Sequence, residues 1–233
     1  MPRTEQIDQG RVHGLIAHAD KPRGGIVLLP TIFGVDRFSQ GRASLLAESG
    51  YTTLIWNPYP GEGAPTEYSV AQAKAGKLSD EMVGDMSACA SHLLEALTLP
   101  KVAVLGFCLG GRYALLLAAA DKRMAGCSAF YPSIQEPKKP NEREDAVARA
   151  AGIACPVHVT WGTADEVIVK PTFLRLRESL ETRNAATLAE MYPGAVHSFL
   201  RPDLQTVPAN AAATRLSWPS AMRFLETCLL PGA

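Results

Sequence analysis

Residues 102–111 read Val-Ala-Val-Leu-Gly-Phe-Cys-Leu-Gly-Gly, and a helix-like pattern begins at Leu109 with no intervening loop. A short run that is apolar at consecutive positions is a strand buried on both faces, the kind found in parallel sheets covered by helices. The reversal from such a strand directly into a helix is sharp. Gly106 and Gly110 let the backbone pass close to its neighbours and hold the side chain of Cys108 out at the top of the sheet. The first amides of the following helix point at that side chain and favour negative charge there, as a thiolate or beside an oxyanion. Cys108 is therefore a candidate nucleophile, weighed against a packed thiol in a tight turn, because free cysteine is among the most buried residue types.

Apolar, β-rich runs recur at 25–29, 51–56, 102–105, 127–131, 157–161 and 187–191, separated mostly by helix-like stretches at 38–49, 80–97, 109–120, 171–181 and 211–228. This alternation predicts an α/β fold with a mostly parallel central sheet and helices on both faces. Val12–His18 is expected to add an edge strand. Residues 58–66, rich in Pro and Gly, and 132–144, rich in Pro and charge, are expected as surface loops beside the site. No composition shift divides the 233 residues, so a single domain over 1–233 is expected.

Twenty-three basic residues balance twenty-three acidic ones, so no global field draws in nucleic acid or an anionic membrane, and a small-molecule partner is expected. The opening Met-Pro-Arg-Thr-Glu-Gln lacks the apolar core of a signal peptide, and no apolar run is long enough to span a bilayer, which fits a cytoplasmic protein. Cysteines at 89, 108, 127, 155 and 228 form an odd set without close pairs. That pattern argues against a disulfide framework and a structural zinc site, and leaves Cys89, Cys127, Cys155 and Cys228 as packed thiols. There is no His-Glu-x-x-His, so no metal or other cofactor is expected, and the glycine spacing around Cys108 fits neither nucleotide-cradling pattern.

In open α/β sheets the ligand crevice lies beyond the carboxyl ends of the strands. That rule selects residues 31–34, 57–59, Cys108, 131–133, 165–166 and His197. A cysteine nucleophile needs a base, and histidine titrates near neutral pH. His13 and His18 lie in the amino-terminal segment, His92 falls in a helix pattern, and His158 sits between Val157 and Val159 in a strand. His197, in a glycine-containing loop after the last strand, is the candidate base. Asp165 follows an apolar strand across a turn and is the candidate orienting acid, with Glu166 as the adjacent substitute and an Asx-turn or helix cap as its structural role. The order nucleophile, acid, histidine is that of α/β-hydrolases. Acyl transfer also needs two donors for the developing oxyanion, for which the backbone amides of Leu109 and Ile32 are placed.

With these residues assembled, the chain resembles the dienelactone hydrolase family, the cysteine-dependent branch of the α/β-hydrolases. Four segments carry the resemblance: Ile-Phe-Gly-Val at 32–35, Gly-Phe-Cys-Leu-Gly-Gly at 106–111, Gly-Thr-Ala-Asp at 162–165 and Gly-Ala-Val-His-Ser-Phe at 194–199. The resemblance implies an α/β-hydrolase fold and hydrolysis of a small ester or lactone, by a Cys108–His197–Asp165 triad and a thioester acyl-enzyme. It further implies an oxyanion hole from Ile32 and Leu109, and a carboxylate-binding role for Arg201. Thr31, Phe33 and Tyr59 stand beside Arg201 as substrate-binding positions, and a monomer or small homo-oligomer is expected. Two departures stand out. Thr31 occupies the place of a family glutamate that helps generate the thiolate, and residues 66–78 hold Lys74, Lys77 and Tyr68 but no arginine. The first leaves open a second reading, a non-catalytic or redox-sensing thiol protein on a hydrolase scaffold.

Overall fold

The computed structural model describes residues 2–230. Its strands are β1 (Arg3–Gln9), β2 (Val12–His18), β3 (Gly24–Leu29), β4 (Tyr51–Trp56), β5 (Val102–Phe107), β6 (Met124–Phe130), β7 (Val157–Gly162) and β8 (Thr187–Tyr192). Its helices are α1 (Arg37–Glu48), α2 (Tyr68–Ala75), α3 (Val83–Ser91), α4 (Leu109–Ala120), α5 (Ala146–Ala150), α6 (Lys170–Glu181) and α7 (Pro208–Leu229). The consecutive apolar runs are the strands buried on both faces: every residue of β3, β4, β5 and β7 is buried. Helices α3 to α6 pack in sequence along one side of the sheet. Helices α1 and α7 cover the other side, where the Arg42 guanidinium of α1 stacks over the Trp218 ring of α7, 4.4 Å from its centroid. No helix among the described residues is long and apolar enough to cross a membrane.

One eight-stranded sheet runs in the order β1-β2-β4-β3-β5-β6-β7-β8, parallel from β4 through β8. From β3 the chain steps outward to β4, then returns across β3 to lay down β5 on its other side. The direction of winding therefore reverses between β3 and β5, and a crevice opens where the loops leaving those two strands part to opposite faces. Cys108 follows β5 directly and residues 30–34 leave β3, so both arrive at this one point.

The sheet has more at its amino-terminal side than the sequence pattern suggests. Val12–His18 is a strand, but an inner one, paired antiparallel to both β1 and β4. The edge is β1, whose Arg-Thr-Glu-Gln-Ile-Asp-Gln is almost wholly exposed and carries no apolar face to announce it. It is held through backbone pairing across a hairpin whose Gly10 has φ of 59°, and its charges suit an edge that must not recruit another strand. Helix α2 buries only Ala71 and Ala75, and α5 is little more than one turn, so neither has a readable stripe. The helix expected over 80–97 is instead a tightened turn at Asp80–Met82, then α3, then a wide π-turn at His92–Ala96.

The 132–144 loop, which follows β6, is anchored from beneath. Arg112 of α4 is almost fully buried and makes two hydrogen bonds to the Asp80 carboxylate, at 2.6 and 3.1 Å. It also donates to the Glu144 carbonyl at 2.9 Å and lies 3.6 Å from Glu142. A buried guanidinium with two carboxylates and a carbonyl is fully paired, and removing any one partner exposes a desolvation penalty of about 3–5 kcal/mol. The loop is thereby tied to the same helix that carries the elbow.

Candidate active site

Cys108 sits at φ 56° and ψ −115°, a strained conformation for a residue with a side chain and one that costs on the order of 1–3 kcal/mol. The surroundings hold it there. Its N–H donates to the Phe130 carbonyl at 3.1 Å, its carbonyl accepts from the Ser133 N–H at 2.8 Å, and the Gly110 N–H donates to the Pro30 carbonyl at 3.0 Å. The glycines are required by contact: a Cβ on Gly106 would lie 2.0 Å from the Gly110 oxygen, and one on Gly110 would lie 2.0 Å from the Leu29 oxygen. Close approach of β3, β5 and α4 is thus what turns the thiol into the crevice.

His197 follows β8 and brings its ring to the thiol. Its Nδ1 meets the Asp165 carboxylate at 2.8 Å, and its buried Nε2 faces Cys108 without a hydrogen bond of standard geometry. Contacts of this kind tighten in the reacting complex. Asp165 divides its two oxygens between two tasks. Oδ1 accepts from the N–H groups of Val167 at 2.8 Å and Ile168 at 3.0 Å, closing an Asx-turn, while Oδ2 orients the imidazole. Asp165 therefore both closes the turn and contacts the imidazole, and neighbouring Glu166 is exposed. The Tyr131 ring, at φ 37°, packs edge-on against His197 with centroids 5.3 Å apart and limits its swing.

Electrostatics separates this cysteine from the rest. Burial pushes the Cys108 thiol up, but the positive charge of the facing His197, the Leu109 N–H and the charge of Lys139 together bring it below the ordinary value. Burial works against a charged His197, yet the Cys108 thiolate and the Asp165 carboxylate outweigh it and raise the imidazole. Each charge of the pair favours the other. At the packed cysteines burial dominates: Cys89 is pushed up to about 12, Cys155 and Cys228 to about 11, and Cys127 also rises.

Ile32 and Leu109 border the thiol from β3 and α4. Among the described residues neither of their N–H groups donates to a backbone or side-chain oxygen, and the Leu109 N–H points at the Cys108 sulphur. Tyr59 is not on the cavity wall. Its hydroxyl donates to the Ile32 carbonyl at 2.8 Å, fixing the peptide plane of the loop. Thr31 Oγ1 accepts from the Phe33 N–H at 3.2 Å and closes the same turn, so it shapes the loop and lines the cavity without a charge.

The crevice opens into a cavity of about 960 Å³ whose lining includes Ile32, Phe33 and Arg201 and, from the 132–144 loop, Ser133, Gln135 and Lys139. Arg201 lies over the Phe33 ring at 5.1 Å and donates from Nε and one terminal nitrogen to Asp203, at 2.9 and 3.3 Å. Lys74 is turned away, 2.7 Å from Glu62, and Lys77 is not part of the wall. The second cation of the cavity is Lys139, in the 132–144 loop, and no sequence motif marks it. The 58–66 loop, also expected beside the site, contributes no wall residue.

A second constellation in the sheet has the residue types of a triad, but with the two ring nitrogens exchanged and without access. Ser128 Oγ meets His158 Nδ1 at 2.9 Å and His158 Nε2 meets Glu190 at 3.2 Å, across adjacent strands β6, β7 and β8. Ser128 and His158 are fully buried and the His158 ring packs on Phe224, which makes this a satisfied polar ladder within the core.

A mostly parallel sheet with a strained elbow after its central strand, and an acid and a histidine on the following loops, defines an α/β-hydrolase. The chain belongs to the dienelactone hydrolase family, whose profile matches residues 12–229, and with it to the ester- and lactone-hydrolysing enzymes. It is 30% identical over 247 residues to a carboxymethylenebutenolidase from Rhodococcus opacus, covering 100% of this chain and 95% of the relative. Among solved structures, a dienelactone hydrolase-like promiscuous phosphotriesterase, P91, from metagenomic libraries superposes with a TM-score of 0.78 at 22% identity, covering 98% of this chain and 99% of that one. At that identity the likeness speaks to the fold alone.

Proposed function

We propose that this enzyme hydrolyses a small ester or lactone by nucleophilic catalysis at Cys108. The thiolate adds to the substrate carbonyl, and the developing oxyanion is received by the N–H groups of Ile32 and Leu109. As the tetrahedral centre collapses, the C–O bond breaks and the His197 imidazolium gives its proton to the departing alkoxide, leaving a thioester on Cys108. With a lactone the new hydroxyl stays tethered to the acyl group. Neutral His197 then takes a proton from water, the hydroxide adds to the thioester, and expulsion of the thiolate restores the ion pair. Asp165 holds the tautomer and stabilises the imidazolium through both halves.

The observation that carries this reading is the geometry at the elbow, where Cys108 at φ 56° is faced by a His197 whose Nδ1 meets Asp165 at 2.8 Å; the same surroundings draw its thiol down while the other four cysteines are pushed up. Thr31 cannot serve as a base, so activation rests on His197 and the start of α4. The similarity to a carboxymethylenebutenolidase supports a butenolide-type lactone among the substrates. The test is hydrolysis of p-nitrophenyl acetate and of cis- and trans-dienelactone by wild type, Cys108→Ala and Thr31→Glu. The reading expects at least about a thousandfold loss in Cys108→Ala. Unchanged turnover by that variant overturns it, and a gain of lactone turnover in Thr31→Glu makes the threonine a matter of tuning.

A further inference from the structure

We propose that the anion-binding subsite of this cavity is built on Lys139, not Arg201, and that the preferred substrates carry a carboxylate placed to meet the 132–144 loop. The proposal rests on the hydrolase reading above. Arg201 is already paired: Asp203 accepts two hydrogen bonds from its guanidinium, and a substrate carboxylate approaching it meets the Asp203 charge as well. Lys139 is in the opposite condition. It lines the cavity, and its ammonium has no hydrogen bond or ion pair among the described residues.

The loop is arranged so that this lysine stays free. Each acidic side chain near it is committed to another cation: Glu136 to Arg175, Glu142 to Arg112, and Glu144 to Arg149. Lys138, the adjacent cation, donates to the Arg143 carbonyl at 2.9 Å and does not line the cavity. The position of Lys139 is fixed from both sides. Its carbonyl accepts from the Glu142 N–H at 2.9 Å, and Asn141 donates to the carbonyls of Leu78 at 2.7 Å and Ala75 at 3.3 Å. Ser133 Oγ and the Gln135 amide, from the same loop, also lack protein partners among the described residues. An uncompensated cation beside a hydroxyl and an amide is a donor set for a carboxylate. Its field reaches Cys108 as well, so the group that recognises the anion also favours the thiolate.

The experiment compares kcat/KM for mono-p-nitrophenyl succinate, which is anionic, with that for neutral p-nitrophenyl acetate. The ratio of the two removes any effect of Lys139 on the thiol, which both esters share. In Lys139→Met the ratio should fall about tenfold, in Lys139→Glu further, and in Lys139→Arg by less than about threefold. The double variant Arg201→Met/Asp203→Asn removes a neutral pair and should keep the ratio within about twofold of wild type. An unchanged ratio in Lys139→Met overturns the proposal, as does an equal loss in the double variant, which would return the subsite to Arg201. Failure of the hydrolase reading is distinct: Cys108→Ala would then turn over both esters as wild type does.

Discussion

Replacing Asp165 by Asn tests the orienting role while leaving the turn in place. The Asn Oδ1 can still accept from Val167 and Ile168, so the Asx-turn survives, but an amide replaces the ionised oxygen 2.8 Å from His197 Nδ1. The Asp165 side chain is fully buried and that of His197 is 17% exposed, so solvent screens the pair only in part. At an effective dielectric of about 20, two unit charges at this distance interact by about 6 kcal/mol. The amide dipole recovers part of that, leaving a loss of about 4 kcal/mol, or about three orders of magnitude in kcat/KM. Loss of the carboxylate also lowers the imidazole and lets the thiol rise, because each of the pair supports the charge of the other. Ester hydrolysis gives the first quantity, and the pH dependence of iodoacetamide alkylation at Cys108 gives the second, with circular dichroism to confirm the fold. A kcat/KM within about tenfold of wild type would reduce Asp165 to a turn former. A large loss in Glu166→Ala instead would move the role to its exposed neighbour.

Three further outcomes follow from the same geometry. The working state requires Cys108 deprotonated and His197 protonated, so kcat/KM should be bell-shaped in pH. Its acid limb should lie below the ordinary thiol value, where the lowered Cys108 gains a proton, and its alkaline limb above the ordinary imidazole value, where the raised His197 loses one; an alkaline limb near 6.5 would contradict the ion pair. Tyr59→Phe removes the hydrogen bond to the Ile32 carbonyl and should lower kcat by about tenfold with little change in KM, while a raised KM at unchanged kcat would place Tyr59 in substrate binding instead. Gly110→Ala forces a Cβ against the Leu29 and Pro30 oxygens, both backbone, and should destabilise the fold by about 3 kcal/mol or more, read as a fall in Tm; an unchanged Tm would mean that β3 and α4 can part without consequence.

Much of the site can be read before any coordinates, for a physical reason. Function in a parallel sheet collects at the carboxyl ends of strands, and Cys108, Asp165, His197 and Ile32 each stand just after an apolar run. The less legible parts are those whose partners are remote in sequence. Strand β1 is polar on both faces and exists through its pairing with β2, so no periodicity marks it. Tyr59 lies at a strand end like a ligand contact, and only the fold shows its hydroxyl spent on Ile32. Lys139 and Lys138 are adjacent and alike in sequence. Which of them faces the cavity depends on how Asn141 and Arg112 pin the loop, from Leu78 on one side and α4 on the other. Arg112 itself falls in a helix pattern on which nothing foretells near-complete burial.

The claim on which all of this turns is that Cys108 forms a covalent acyl intermediate. Rapid mixing with p-nitrophenyl acetate, quenching in acid and intact-mass measurement with peptide mapping tests it directly. The expected result is one acetyl group per chain, located on Cys108 and absent from Cys108→Ala, with no label on the other cysteines. Acetylation elsewhere, or turnover by Cys108→Ala at the wild-type rate, would contradict it.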